Sequence, residues 1–212
     1  MPADEGQAKT ASSVRGRIKE QKAALIQEEI LIAAARLIAS RGFRAVTVDD
    51  ISAEMGFTKS IVYYYLKNKN EILWRIFEKI DETYANGLDD ALAAGGSPVE
   101  QMANVMRMHC MNVLIHLDWA TIYNRDFNEL TEAQRAKVQE NRRHYNARIQ
   151  SLYEEGVRRG VFQDAPSVIA VSCLIGACNW PYTWFNPKGK LTAEEIAEGY
   201  SRQLIHGVLQ KA

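Results

Sequence analysis

The chain has 212 residues, 47% hydrophobic and 25% charged, which is enough apolar material for one or two folded domains and excludes a disordered chain. Its 26 basic and 26 acidic residues cancel, so net charge neither demands nor forbids a polyanionic partner. Cys110, Cys173 and Cys178 are too few and too widely placed for a disulfide framework, and no Cys/His cluster has zinc spacing; no metal and no cofactor is expected, and the thiols read as reduced and buried.

In chain order, residues 1–17 are rich in Ala, Ser, Gly and charge without apolar periodicity, and read as a flexible arm rather than a signal peptide. Ile26, Ile30, Ala33, Leu37 and Ile38 recur at mostly three- and four-residue steps, which predicts one face of a first helix ending before Gly42. Two short helices around a tight turn follow between Thr47 and Lys69, and Leu73, Ile76, Phe77, Ile80, Tyr84 and Leu88 draw the stripe of a long fourth helix. Ser97-Pro98-Val99-Glu100, Thr131-Glu132-Ala133-Gln134 and Thr192-Ala193-Glu194-Glu195 each have the form of a capping box at a helix start.

Ala165 to Pro187 carries no charge, but its strongly apolar part, Val168 to Cys178, is too short to span a bilayer. It reads as an interface helix of a cytoplasmic protein with no membrane contact. No segment alternates with period two, so the expected fold is all-α with about nine helices. Residues 18–69 are expected to form a three-helix helix-turn-helix domain, and 70–212 a larger helical domain.

Within the helix-turn-helix, Thr47 is placed to cap the second helix with Asp50 completing the box, and Val48, Ile51 and Met55 form its inward face. Gly56 permits the turn, and Thr58 is placed to cap a third helix through about Leu66. Phe57, Val62 and Leu66 point inward, which leaves Lys59, Ser60, Tyr63 and Tyr64 outward. A lysine, a hydroxyl and rigid phenols suit base edges and phosphates, although the same row also suits an ordinary amphipathic surface.

The order Thr47-Val48-Asp49-Asp50-Ile51, Gly56-Phe57-Thr58-Lys59, Tyr63-Tyr64-Tyr65-Leu66-Lys67-Asn68-Lys69 and Ile72-Leu73 resembles the N-terminal signature of the TetR family of regulators, over about Glu28 to Phe77. The resemblance implies that Thr47, Lys59, Ser60, Tyr63, Tyr64, Tyr65 and Lys69, with Thr58 at the head of the reading helix, contact double-stranded operator DNA. Three residues depart from the usual pattern: Leu66 stands in place of Phe, Ser52 in place of Ala, and Ile61 in place of a frequent Thr. The family habit also implies a homodimer through the last two helices, here the uncharged segment from Val168 and the helix bearing Ile196, Tyr200, Leu204 and Val208, with Gly199 and Gly207 permitting close approach.

A mix of large aromatics and polar groups, His109, Asn112, His116, Trp119, Tyr123, Arg125 and Phe127, suits a ligand cleft, as it also suits a satisfied core. Asn179 to Pro187, with Trp180 and Trp184, resembles the late segment of TetR members that answer to acyl-CoA thioesters in fatty-acid or steroid breakdown. Thr183 stands where that branch often has an arginine, which leaves Arg125, Arg142 and Arg143 as candidate cations for a CoA phosphate.

The reading is a ligand-responsive repressor released from its operator by a small-molecule effector, an acyl-CoA being one candidate. A multidrug-sensing regulator of efflux genes shares the architecture. A helical enzyme is the remaining class. Its best material is His109 beside Cys110, but helix neighbours diverge by about 100° and no nucleophile elbow or phosphate loop accompanies them, so no catalytic residues are assigned.

Overall fold

The computed structural model of the chain describes residues 5–210, with side chains described from residue 16. Nine α-helices follow one another among the described residues: α1 (Glu5–Arg41), α2 (Val48–Glu54), α3 (Lys59–Tyr65), α4 (Lys69–Ala93), α5 (Pro98–Ile115), α6 (Leu117–Arg125), α7 (Glu132–Arg158), α8 (Ser167–Asn179) and α9 (Ala193–Val208). Short 3₁₀ turns lie at Phe127–Glu129 and Trp180–Thr183, and the architecture is all-α as expected.

Local chemistry sets the helix starts. At Thr47, Ser97, Thr131 and Thr192 the hydroxyl accepts from the amide three residues on, while Asp50, Glu100, Gln134 and Glu195 accept in return from the cap amides. A related device starts α4: Asn68 Oδ1 accepts from the Glu71 amide at 2.8 Å, and Glu71 accepts from the Lys67 amide at 2.8 Å. The Asn-x-x-Glu spacing carries that signal.

α1 begins earlier than its apolar stripe predicts. The segment read as an arm is helical from Glu5, and residues 1–4 lie outside the described residues. Its Ala, Gln, Lys and Glu content has high helix propensity and needs no apolar face.

The chain divides into two compact units, one ending at Arg75 and the other running Ile76–Ala212. In the first, Ile30, Ala34, Leu37 and Ile38 of α1 are buried together with Val48 and Ile51 of α2, Val62, Leu66, and Ile72 and Leu73 of α4. Gly56 has φ +66° and follows the α2 C-cap. There the Phe57 amide bonds the Ser52 carbonyl at 2.8 Å and the Gly56 amide bonds the Ala53 carbonyl at 3.1 Å, a left-handed corner that suits glycine.

In the second unit α5 is central: Met102, Val105, Met106, His109, Cys110, Val113 and Leu114 are buried, and α7, α8 and α9 pack around it. α4 and α7 run in the same direction, Asp81 meeting Asn141, Tyr84 meeting Tyr145 and Asp89 meeting Arg148. Ser201 Oγ donates to the Ala103 carbonyl at 2.8 Å and fastens α9 to α5.

Two expectations about this unit change. Ile196, Tyr200, Leu204 and Val208, read as the face offered to a second copy, pack against the chain's own core. A stripe at helical spacing signals burial without saying against which chain. Cys110 and Cys178 are buried, but Cys173 is exposed, on a side of α8 that also exposes Val168, Ile169, Ser172 and Gly176. Among the described residues no helix is long and apolar enough to cross a membrane.

Candidate nucleic-acid interface and effector site

α3 is anchored through Val62 and its C-cap Leu66, which are both buried, so the rest of its surface stays open. Lys59, Ser60, Ile61, Tyr63 and Tyr64 are exposed, Tyr64 to 74%. Tyr65 is half-buried: its ring meets Tyr64 edge-on at 4.9 Å, and its carbonyl accepts from Gln27 Nε2 of α1 at 3.3 Å. It therefore braces Tyr64 more than it projects. Lys59 Nζ lies 2.9 Å from Asp49 of α2, and the hydrogen bond and charge of that carboxylate raise the lysine's pKa. The result is a charged ammonium at the start of α3, 6.0 Å from the Tyr63 ring.

Thr47 is exposed but its hydroxyl is engaged in the capping box. Thr58 stands at the N-cap position of α3, yet its hydroxyl makes no capping bond, unlike the sequence expectation, so the first turn of α3 is not closed by its own cap. Lys69 is not a loose cation beyond the reading helix. It is the first residue of α4; its ammonium donates to the carbonyls of Phe43 at 2.9 Å and Val46 at 2.8 Å and sits 4.3 Å from the centre of the Phe43 ring. Lys69 thus ties α4 to the loop between α1 and α2. Lys69→Ala is expected to lower unfolding stability by about 2 kcal/mol, the scale of a charge-assisted hydrogen bond in a half-buried setting. Thermal unfolding by circular dichroism measures this, and an unchanged Tm would remove the structural role.

The residues read as effector-binding fall into separate groups. His109 is 4% exposed. Its Nε2 donates to Asn179 Oδ1 at 3.0 Å, which sets the neutral tautomer whose Nδ1 accepts from the Tyr145 hydroxyl at 2.8 Å. The Tyr84 ring packs 4.8 Å from the imidazole. Burial pushes the His109 pKa down to about 4 and the phenols of Tyr84 and Tyr145 up, so the group offers hydrogen bonds and no charge at neutral pH.

Two turns back on α4, Phe77 stacks on Tyr123 at 5.3 Å and tilts toward Phe127 at 6.4 Å. The Arg142 guanidinium lies 5.0 Å from the Tyr123 ring centre and 5.9 Å from that of Phe127. Asn141 Nδ2 donates to Asp81 at 2.7 Å, and burial raises the Asp81 pKa. Phe77, Asp81 and Tyr84 succeed one another along α4, so the two groups adjoin.

The other predicted residues stand apart. His116 and Trp119 stack on each other at 4.2 Å where α5 gives way to α6. Asn112 Nδ2 donates to the Met108 sulfur at 3.3 Å. Arg125 pairs with the buried carboxylate of Asp126 at 2.9 Å. Trp180 and Trp184 are 62% and 46% exposed, Trp184 lying 6.4 Å from Tyr200. Sequence reasoning missed Tyr145, Asp81 and Asn141 as members of the buried groups. Tyr145 is the one aromatic in the polar run Gln139 to Arg148, which is the signal that marks it.

Comparison with known proteins agrees with both units. Residues 30–76 match the bacterial regulatory proteins of the tetR family, and residues 95–208 match the tetracyclin repressor-like C-terminal domain. The transcriptional repressor KstR2 of Mycolicibacterium smegmatis is 23% identical over 186 residues, covering 87% of this chain and 91% of its own length. The crystal structure of a TetR/AcrR-family transcriptional regulator from Thermobifida fusca matches with a TM-score of 0.68 at 32% identity, over 85% of this chain and 97% of that one. The structure of AibR in complex with isovaleryl coenzyme A and operator DNA matches with a TM-score of 0.76 at 25% identity, over 84% of this chain and 97% of that one. With the tetracyclin repressor-like C-terminal domain matched over more than half of the chain and the tetR family description matched over residues 30–76, the chain belongs to the TetR family of bacterial regulatory proteins.

Proposed function

We propose that the protein is a cytoplasmic, homodimeric transcriptional repressor, not an enzyme, which binds operator DNA through α3 and is released by an acyl-CoA thioester. The observation that carries the DNA reading is the exposed row Lys59, Ser60, Ile61, Tyr63 and Tyr64 on a helix held from behind by Val62 and Leu66. A lysine and phenols serve phosphates, Ser60 serves a base edge or phosphate, and Ile61 suits a thymine methyl. One short helix reads few base pairs, so two copies about one helical turn apart are needed. The uncharged exposed side of α8, with Val168, Ile169, Cys173 and Gly176, and the outer side of α9 at Gly199 and Gly207, supply the matching surface.

The effector reading rests on the aromatic and polar groups around Tyr84, His109, Tyr145, Tyr123 and Phe127, and on AibR, whose structure holds isovaleryl coenzyme A. Arg125 is engaged by Asp126, which leaves Arg142 and Arg143 as candidate cations for the CoA phosphates. Trp180 and Trp184 are exposed faces on which an adenine ring can stack. Binding shifts the separation of the two recognition helices so that the pair no longer spans its half-sites.

Tyr64→Ala tests the first half. The side chain is exposed, so folding is unaffected, and loss of one phosphate contact per protomer is expected to weaken operator binding about 100-fold in the dimer. Wild-type affinity in the variant would remove α3 from the interface. Isothermal titration with a panel of CoA thioesters and the corresponding free acids tests the second half: heat from thioesters only, with operator release, is expected, and no heat from any thioester sinks the effector class.

A further inference from the structure

α1 continues well beyond the core of the first unit, and the face it buries changes chemistry on the way. Leu37, Ala33 and Ile30 are buried and Ile26 is half-buried. The same three- and four-residue series then continues backward to Lys22 and Lys19, both exposed. From Gly16 to Glu29 only Ala23 and Ile26 are even half-buried, so lysines occupy the stripe where the helix has run out of protein to pack against. Glu20 and Glu28 lie off that stripe.

Gln27 locates the lysines relative to the reading helix. Its side-chain amide donates to the Tyr65 carbonyl at 3.3 Å, so α1 passes the C-terminal end of α3 at this residue. Lys22 and Lys19 then stand roughly 7 and 12 Å further along the axis, at about 1.5 Å per residue. They continue the buried stripe of α1, a helix that packs against α2 and α3. The most exposed large hydrophobic side chain of α3, Tyr64, is at that same end. A duplex seated on α3 continues past this end, and its phosphates offer the only dense negative charge that such a solvated lysine pair would meet there.

Building on the assignment of α3 as the DNA-reading helix, we propose that Lys19 and Lys22 form a second nucleic-acid contact. They hold the phosphate backbone of duplex DNA outside the base pairs that α3 reads, and so lengthen the footprint of each half-site without adding sequence information. The extended first half of α1 is the arm that carries them.

The experiment compares the full-length wild type with Lys19→Ala/Lys22→Ala on two duplexes: an operator recovered by selection from a random library with flanking DNA, and the same operator trimmed to the selected motif. Alanine preserves helix propensity. On the long duplex the slope of log affinity against log salt is expected to be shallower in the variant by about 3 to 4, at about 0.9 per phosphate and two lysines in each protomer. On the trimmed duplex the two proteins are expected to coincide, and Arg17→Ala, off the stripe, to match wild type on both. Equal slopes for wild type and double variant on the long duplex overturn the inference while operator binding itself stands. A wild type that selects no duplex overturns the α3 assignment instead.

Discussion

Gly156→Ala is expected to destabilise the C-terminal unit by about 3 kcal/mol, far more than adding one methyl to a helix usually costs. A Cβ at this position in α7 would lie 2.0 Å from Phe162 Cδ2 and 2.4 Å from its Cε2. Phe162 cannot withdraw: it is 1% exposed and stacked nearly parallel on Tyr153 at 5.4 Å, and Tyr153 is itself held by its hydroxyl donating to the Gln163 carbonyl at 2.7 Å. The gain of about 1 kcal/mol in helix propensity is smaller than the clash. Beyond this corner the Gln163 amide bonds the Val208 carbonyl at 2.9 Å, so displacement of Phe162 loosens the end of α9 as well. Urea unfolding of Gly156→Ala and of Gly156→Ala/Phe162→Leu provides the measurement. The second change makes room and should restore part of the loss, and an unchanged midpoint in the single variant would show that the ring yields freely.

Acidification is expected to weaken the fold between pH 6.5 and 4 through His109. Burial lowers its pKa from the ordinary 6.5 to about 4, so the unfolded chain binds this proton first. The contribution of the neutral imidazole is therefore fully present above pH 6.5 and is lost as pH falls toward 4, by about 3 kcal/mol. Tyr145 and Asn179 fill both ring nitrogens as the neutral tautomer requires, and a proton on Nδ1 would set two donors against each other. His116, also lowered by burial, adds in the same direction, and Asp50, Glu100, Glu140 and Glu155, whose pKa values are lowered by hydrogen bonds, lose their contributions at lower pH. His109→Gln keeps a donor and an acceptor but does not titrate, so the difference between wild type and variant isolates the imidazole. A difference that stays flat from pH 6.5 to 4 would mean that the ring is hydrated and ordinary.

Much of the N-terminal unit was legible because its signals are local. Thr47 and Asp50 close their box within one turn, Gly56 takes the left-handed corner, and Val62 and Leu66 sit inward as their spacing requires. Lys69 was not legible in the same way. Its partners, the carbonyls of Phe43 and Val46, lie more than twenty positions earlier in the chain, and only the folded loop brings them within reach. Thr58 shows the opposite limit, a residue of the right type at the right position whose hydroxyl makes no cap bond.

The candidate effector site divides along the same line. His109, Tyr123 and Phe127 could be picked by residue type, whereas Asn179 reaches His109 across seventy positions and Arg142 of α7 reaches Tyr123 of α6 only in the folded chain. By itself the sequence determined the run of helices, the four capping boxes at Thr47, Ser97, Thr131 and Thr192, the corner of the reading motif and the family, since each depends on spacing within a few residues or on a contiguous pattern. Tertiary structure alone decided that the α9 stripe belongs to the chain's own core, that the exposed side of α8 carries Cys173, and that the α1 stripe runs out of protein before Lys22. Helical periodicity reports that a face is covered or charged, and what lies opposite that face depends on elements distant in the chain.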